Sequence, residues 1–128
     1  LITQTTANTY MLVISHVQIP AIDNEHLASN SKAIITDWLR HELGYNGVVM
    51  TDRVDVGALQ ANQKIGDFAV NSIVAGSDLV LLDADTGHID EVHRALMQAV
   101  ANGTISNDRL NDAVKHILLM KMQTQLQQ

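Results

Sequence analysis

The sequence predicts an α/β fold with about three parallel strands, and two observations carry this prediction. Residues 11–15, 47–51 and 78–82 are short, continuously apolar runs, which are typical of strands whose two faces are covered by helices. Stretches with helical periodicity separate and follow these runs, so the elements alternate in the order β-α-β-α-β-α-α. Right-handed crossovers make the strands in such an alternation parallel.

The first helix is predicted between the first two strands. Its apolar residues fall on one face at about 3.6 residues per turn; they are Ile34, Ile35, Trp38, Leu39 and Leu43. Ser29 or Ser31 is placed to cap its start, and Gly44 follows its last apolar residue, where a helix-ending glycine is common. The polar residues 16–30 ahead of this helix are predicted to form a loop.

Three further helices are predicted after the second strand. One covers residues 65–75, follows a loop rich in Gly, Asn and Gln, and ends at Gly76. Another covers about residues 90–101 and ends at Asn102 and Gly103. The last begins with Ser106 as its cap. Its apolar residues form one stripe: Leu110, Val114, Ile117, Leu118 and Met122.

The composition is that of one globular domain. Of 128 residues, 46% are hydrophobic and 17% are charged, and the formal net charge is −6, so a nucleic-acid partner is not expected. The absence of cysteine excludes disulfides and thiolate metal sites. No apolar run approaches the roughly 20 residues of a membrane span. Residues 1–9 lack the basic and apolar regions of a signal peptide, and the compartment stays open.

Polar residues stand directly after each of the three predicted strands: His16, Asp52 and Asp83. The carboxyl ends of parallel strands gather functional side chains, both in open doubly wound sheets and in (β/α)8 barrels. Periodicity does not separate these two architectures, although about 200 residues are needed for a complete barrel. An unrelated flavodoxin-like binding module is a third interpretation, and the sequence holds no Gly-rich phosphate loop to support it.

Each strand-end residue has a functional and a structural interpretation. Asp52 suits a nucleophile that attacks an anomeric carbon, and the alternative is a residue that caps a turn or the following helix. His16 suits a substrate ligand or an acid–base group, and the alternative is a packed side chain bonded to backbone. Arg53 and Asp55 flank Asp52 and are able to pair.

No metal site is expected. The spacing of Asp83 and Asp85 matches no strong cation motif, and a solvated loop or a cap for the next helix is the favoured interpretation. The remaining histidines form no HExxH-type pair and are predicted to lie on the surface; they are His26, His41, His88, His93 and His116.

Four segments, in order along the chain, resemble the catalytic barrel of family-3 glycoside hydrolases. Residues 13–23 are similar to that family's strand 6, and residues 29–52, ending in Gly-Val-Val-Met-Thr-Asp, to the helix and strand 7 that deliver its nucleophile. Residues 75–82, Ala-Gly-Ser-Asp-Leu-Val-Leu-Leu, resemble strand 8, and residues 102–119 resemble the closing helix. The resemblance implies that residues 1–128 form a single partial (β/α)8 barrel domain, its C-terminal half.

The resemblance also implies a function. Asp52 matches the nucleophile of a retaining mechanism, and His16 and Arg53 are expected to bind substrate. The pattern Thr-Asp-x-x-x-x-Gly at residues 51–57 looks like the β-N-acetylhexosaminidase branch, typically bacterial enzymes that remove terminal N-acetylglucosamine from cell-wall or chitin-derived sugars. That branch uses no cofactor or metal. Arg53 and Val54 depart from its pattern, which usually has a small or acidic residue and then Leu.

Two interpretations of the chain stay open. The family's Lys-His sugar-binding pair and His-Asp acid–base motif lie upstream of strand 6, so this chain alone is expected to be weak or inactive without a complementing N-terminal half-barrel. The alternative is a non-catalytic truncated barrel that self-associates or binds a partner, because a partial barrel leaves strand edges and apolar faces uncovered.

Overall fold

A parallel three-stranded sheet forms the centre of the computed structural model, which describes residues 11–84 and 86–125. The strands in chain order are β1 (Met11–Ile14), β2 (Gln18–Ile19), β3 (Asp23–Leu27), β4 (Val48–Arg53) and β5 (Leu79–Leu81). The central sheet has the order β1-β4-β5 with parallel pairing throughout, while β2 and β3 form an antiparallel hairpin. The predicted α/β class and parallel sheet are confirmed.

Helices connect and follow the strands of the sheet. A π-helix (Ala33–Glu42) links β1 to β4 after a 3₁₀ turn, and α1 (Val54–Gln60) and α2 (Ile65–Ala75) link β4 to β5. Then α3 (Thr86–Ala101) and α4 (Asn107–Gln125) complete the described chain. Helices therefore stand at all the positions where the sequence predicts them.

The caps of the first helix agree with the sequence pattern, but its winding does not. The amide of Ile34 donates to Ser31 Oγ at 3.2 Å, and Gly44 follows the helix with a left-handed φ of 67°. The amide of Leu43 donates to the Trp38 carbonyl at 2.9 Å, a five-residue separation typical of π geometry. Periodicity predicts the buried face and is too coarse to distinguish the two windings.

Two elements are absent from the sequence prediction. The predicted loop at residues 16–30 contains the hairpin of β2 and β3 and the 3₁₀ turn Ala28–Asn30. Strand β2 has only two residues and β3 is polar except for its last residue, so neither shows an apolar pattern. The carboxylate of Asp23 stabilises this segment by accepting the amides of Glu25 and His26. Helix α1 is the second missed element, since Val56 and Gly57 lower its helix propensity. Burial of its Val54 and Ala58 in the core stabilises it instead.

Two apolar clusters hold the helices on the sheet. One lies between β1, β4 and the π-helix; its buried members are Ile35, Leu39, Tyr45, Val49 and Ala75. The other lies under α1, α2 and α3; its buried members are Val54, Ala58, Ile65, Phe68, Ala69 and Val92. Phe68 is fully buried in this second cluster.

Not every apolar face is covered. The stripe predicted on α4 is largely exposed, with Leu118 at 53% and Met122 at 59% accessibility. On the edge strand β1, Met11 and Val13 are also exposed, while Leu12 and Ile14 pack against the first cluster. Within residues 11–84 and 86–125, these apolar faces and the outer edge of β1 are uncovered.

A buried carboxylate ties the amino ends of the central strands to α4. Asp78 directly precedes β5, and its side chain is fully inaccessible. Its Oδ2 accepts Arg40 Nη2 at 2.7 Å and the Val49 amide at 3.0 Å. Its Oδ1 accepts Arg109 Nη2 and, at 3.1 Å, His116 Nδ1. We call these residues the Asp78 cluster.

The Asp78 cluster corrects one sequence prediction. The sequence predicts His116 on the surface, but its side chain is 16% accessible and donates to the buried Asp78. Burial raises the pKa of the Asp78 carboxyl, but the hydrogen bonds from His116 and Val49, together with the charge of Arg40, hold the pKa below its ordinary value. A buried carboxylate with such partners stays ionised at neutral pH.

Candidate active site at the carboxyl ends of the strands

The polar residues predicted to converge do lie at one edge of the sheet, which we call the strand-end face. Asp52 and Arg53 are the last two residues of β4, His16 follows β1 by two residues, and Asp83 follows β5 by two residues. Asp52 is exposed. Its Oδ1 accepts the Arg53 amide at 2.8 Å, and its Oδ2 accepts no hydrogen bond from residues 11–84 and 86–125.

Arg53 bridges two carboxylates on the strand-end face. Its Nε and Nη2 donate to the two oxygens of Asp55 at 3.2 and 2.6 Å, and Nη2 also donates to Asp83 Oδ2 at 2.7 Å. The hydrogen bond from Arg53 lowers the pKa of Asp55, and in return raises the pKa of Arg53. The guanidinium therefore links the end of β4 to the segment after β5.

His16 is engaged through both ring nitrogens. Nε2 lies 2.7 Å from the Arg53 carbonyl oxygen, and Nδ1 lies 2.7 Å from Ser29 Oγ. The ring stacks edge-on against Phe68, with 5.4 Å between ring centroids and 80° between the ring planes. The structure thus brings His16 to the backbone beside Asp52, as its structural interpretation predicts.

Gly57 lies where the rings of His16 and Phe68 approach the backbone of α1. A Cβ at this position would lie 2.5 Å from Cε1 and Cζ of Phe68 and 2.7 Å from Cε1 of His16. Contacts that short do not occur between unbonded carbon atoms, so the absence of a side chain at Gly57 allows both rings to pack beside β4.

Gly57→Ala is expected to lower the free energy of unfolding by about 1–3 kcal/mol, because one of the packed rings must move. Urea unfolding measures the loss. Gly44→Ala is the control: a methyl group there would meet no atom within 4 Å, but the left-handed φ of Gly44 costs an alanine about 1–2 kcal/mol. Only the Gly57 variant should also shift the ring NMR signals of His16. Unchanged stability of Gly57→Ala contradicts the packing argument.

The strand-end face contains two residues that sequence reasoning missed. The sequence predicts Ser29 only as a helix cap, and it is fully buried and paired with His16. Phe68 carries no signal beyond its apolar character. Asp83 pairs with Arg53, whereas Asp85 lies outside the described residues. Among residues 11–84 and 86–125, no group of three or more His, Asp or Glu side chains could hold a metal ion.

The sequence predicts no membrane-spanning segment, and the helices of the structure bear on this prediction. Within the described part of the chain, none of them combines the length and the apolar character that a bilayer-spanning helix needs.

Comparisons with known proteins give one consistent family. Residues 2–120 match the family described as "Glycosyl hydrolase family 3 N terminal domain". The chain is 28% identical to "Beta-hexosaminidase A" of Pseudoalteromonas piscicida, over 87% of this chain and 21% of that protein. It is 27% identical to "Beta-N-acetylglucosaminidase/beta-glucosidase" of Cellulomonas fimi, over 86% of this chain and 21% of that protein.

A solved structure agrees with these sequence matches. The glycoside hydrolase family 3 β-N-acetylglucosaminidase from Paenibacillus sp. str. FPU-7 superposes with a TM-score of 0.83 and 34% identity, over 88% of this chain and 22% of that chain. The chain spans about a fifth of the length of the relatives it matches. The structural match confirms the predicted barrel-type α/β arrangement.

Proposed function

The chain belongs to glycosyl hydrolase family 3, and from this premise we propose that its strand-end face supplies the nucleophile of a retaining β-N-acetylglucosaminidase. Residues 1–128 act as one partial-barrel domain in this proposal. The substrate class follows from relatives named as β-hexosaminidases and β-N-acetylglucosaminidases. The sugar removed in this reaction is a terminal β-N-acetylglucosamine.

The proposal is supported by the exposure of the Asp52 carboxylate and by the hydrogen bond to one of its two oxygens. Asp52 is exposed at the end of β4, one of its oxygens is held by the Arg53 amide, and the other is unengaged within the described chain. A carboxylate oriented in this way presents one oxygen to a reacting carbon while the other is restrained, which is the preorganisation that covalent catalysis needs.

The reaction proceeds in two displacements. Oδ2 of Asp52 forms a bond to the anomeric carbon as the glycosidic C–O bond breaks and the leaving oxygen takes the electron pair and a proton. Water then attacks the same carbon, and the Asp52 carboxylate leaves with its electron pair. A general acid supplied by a complementing N-terminal half-barrel protonates the leaving oxygen in the first step and deprotonates the water in the second.

Arg53 is the second proposed site residue. Its Nε and Nη2 are held by Asp55 and Asp83, while Nη1 donates to no side chain or carbonyl of residues 11–84 and 86–125. A guanidinium restrained on one side offers the free nitrogen to a sugar hydroxyl or amide oxygen with little further loss of side-chain entropy. His16, the other residue expected to bind substrate, borders the same face.

The proposal is tested by trapping the covalent intermediate on Asp52. We expect the 128-residue chain, treated with a 5-fluoro-N-acetyl-β-glucosaminyl fluoride, to gain the mass of one glycosyl group. Fluoride departs without a general acid, so this reagent does not depend on the half-barrel that supplies one. Peptide mass spectrometry should place the label on Asp52.

The control is Asp52→Asn under the same conditions, which should carry no label. A label on another residue, or an unlabelled wild-type chain at saturating reagent, contradicts the proposal. An unlabelled chain that also sediments as a dimer would favour the alternative function, a non-catalytic barrel fragment that self-associates through its exposed β1 edge and α4 stripe.

A further inference from the structure

We propose that His16 is a positioning residue that orients Asp52 by holding the backbone carbonyl of the next residue, Arg53, a role that rests on the proposed function of Asp52. The three groups involved form one chain of hydrogen bonds from Ser29 through His16 to the Arg53 carbonyl. This role replaces direct contact between His16 and the sugar.

The chemistry of the acceptor determines that Nε2 of the ring carries a proton. A carbonyl oxygen only accepts hydrogen bonds, so Nε2 of His16, 2.7 Å from the Arg53 oxygen, carries the proton. In the neutral ring Nδ1 is then an acceptor, and the Ser29 hydroxyl donates a hydrogen bond to it, with 2.7 Å between Oγ and Nδ1. Ser29 is fully buried, so this tautomer is held by a partner that water does not replace.

The backbone of Arg53 is consequently held on both sides of its Cα atom. Its N–H donates to Asp52 Oδ1, and the carbonyl of the same residue accepts from His16. Strand β4 ends at Arg53 and α1 begins at the next residue, so ladder hydrogen bonds do not continue beyond this point. His16 supplies the restraint at the position where the nucleophile needs it.

Packing prevents the His16 ring from taking another orientation. Its edge rests against the buried Phe68, and the missing side chain of Gly57 leaves just enough space for both rings. A ring held by two hydrogen bonds and an aromatic neighbour has no nitrogen left for a substrate hydroxyl. Binding a sugar directly would require breaking one of the two hydrogen bonds.

The first test is NMR of the 128-residue chain and needs no turnover. Ring ¹⁵N shifts of His16 should report a neutral ring protonated at Nε2. In His16→Ala, hydrogen exchange of the Arg53 amide should accelerate about 5–10-fold, the loss of roughly one hydrogen bond. The Val49 amide, which donates to Asp78 Oδ2 on the same strand, should exchange at an unchanged rate and reports that the fold persists.

A second variant separates the loss of the hydrogen bond to Arg53 from the loss of side-chain volume. His16→Gln places an amide donor near the Arg53 carbonyl, so it should restore a large part of the Arg53 amide protection. With an activated aryl N-acetyl-β-glucosaminide, His16→Ala should lower kcat about tenfold or more with little change in KM, and His16→Gln should recover part of kcat.

Three results would overturn the positioning role: a ring protonated at Nδ1, Arg53 amide exchange unaffected by His16→Ala, or a rise in KM with kcat unchanged. Failure of the proposed function looks different. In that case wild-type turnover and labelling are absent, while the His16 tautomer and the Arg53 amide protection are still observed.

Discussion

Asp52→Asn is expected to reduce turnover of a dinitrophenyl N-acetyl-β-glucosaminide by at least about 10³-fold. The amide has nearly the shape of the carboxylate and can still accept the Arg53 amide, so the local structure persists. It lacks the negative charge and nucleophilicity that bond formation at the anomeric carbon requires. The dinitrophenolate leaving group needs no protonation, so its release in the first turnover reports the nucleophile without the general acid.

The matched control for this variant is Asp83→Asn. It removes one carboxylate from the same strand-end face, and Asp55 keeps its two hydrogen bonds to Arg53. We expect its turnover to fall less than about tenfold. Comparable losses in the two variants would show that the charge of the face, and not a nucleophile at Asp52, controls the rate.

Asp78→Asn is expected to lower the free energy of unfolding by about 3–5 kcal/mol. The volume hardly changes, but Arg40 and Arg109 lose the anion that compensates them, and their side chains are only 11% and 16% accessible. Uncompensated charges at low accessibility carry a large desolvation cost. Urea unfolding followed by circular dichroism measures the effect.

Asp83→Asn again provides the comparison, since Asp83 pairs with Arg53 at half exposure. Its loss of stability should stay below about 1 kcal/mol. The pH dependence has a defined sign. Because the folded pKa of Asp78 is lowered, its stabilisation is present above the ordinary carboxyl pKa near 4 and disappears as the pH falls through the folded value. Equal losses in the two variants, or no acid sensitivity, would contradict this account.

Hydrophobic runs and helical periodicity predict the elements whose formation depends on the local sequence. The order of apolar and polar residues predicts the strands β1, β4 and β5, the Ser106 cap that precedes α4, and the position of Asp52 at a strand end. Helix α1 does not, because Val54 and Ala58 fold into a helix only when Phe68 and its neighbours cover them. Tertiary packing overrides weak helix propensity there.

The polar clusters are the least predictable features. Asp78 lies in the short connection between α2 and β5, and nothing local connects it to Arg40, Arg109 or His116. Likewise, His16 and Ser29 are separated by a hairpin and meet only in three dimensions. Patterns of one residue type at fixed spacing do not detect pairs whose distance is set by the topology of the sheet.

The Asp78 cluster has a consequence for the order of folding during synthesis. Arg40 precedes Asp78 by 38 positions, whereas Arg109 and His116 follow it by 31 and 38 positions. A chain emerging from the ribosome can therefore pair Asp78 with Arg40 first. Oδ1 of Asp78 gains its partners Arg109 and His116 only after α4 has been synthesised. Docking of α4 then follows the pairing of Asp78 with Arg40, and nascent chains stalled before residue 109 should be sensitive to protease.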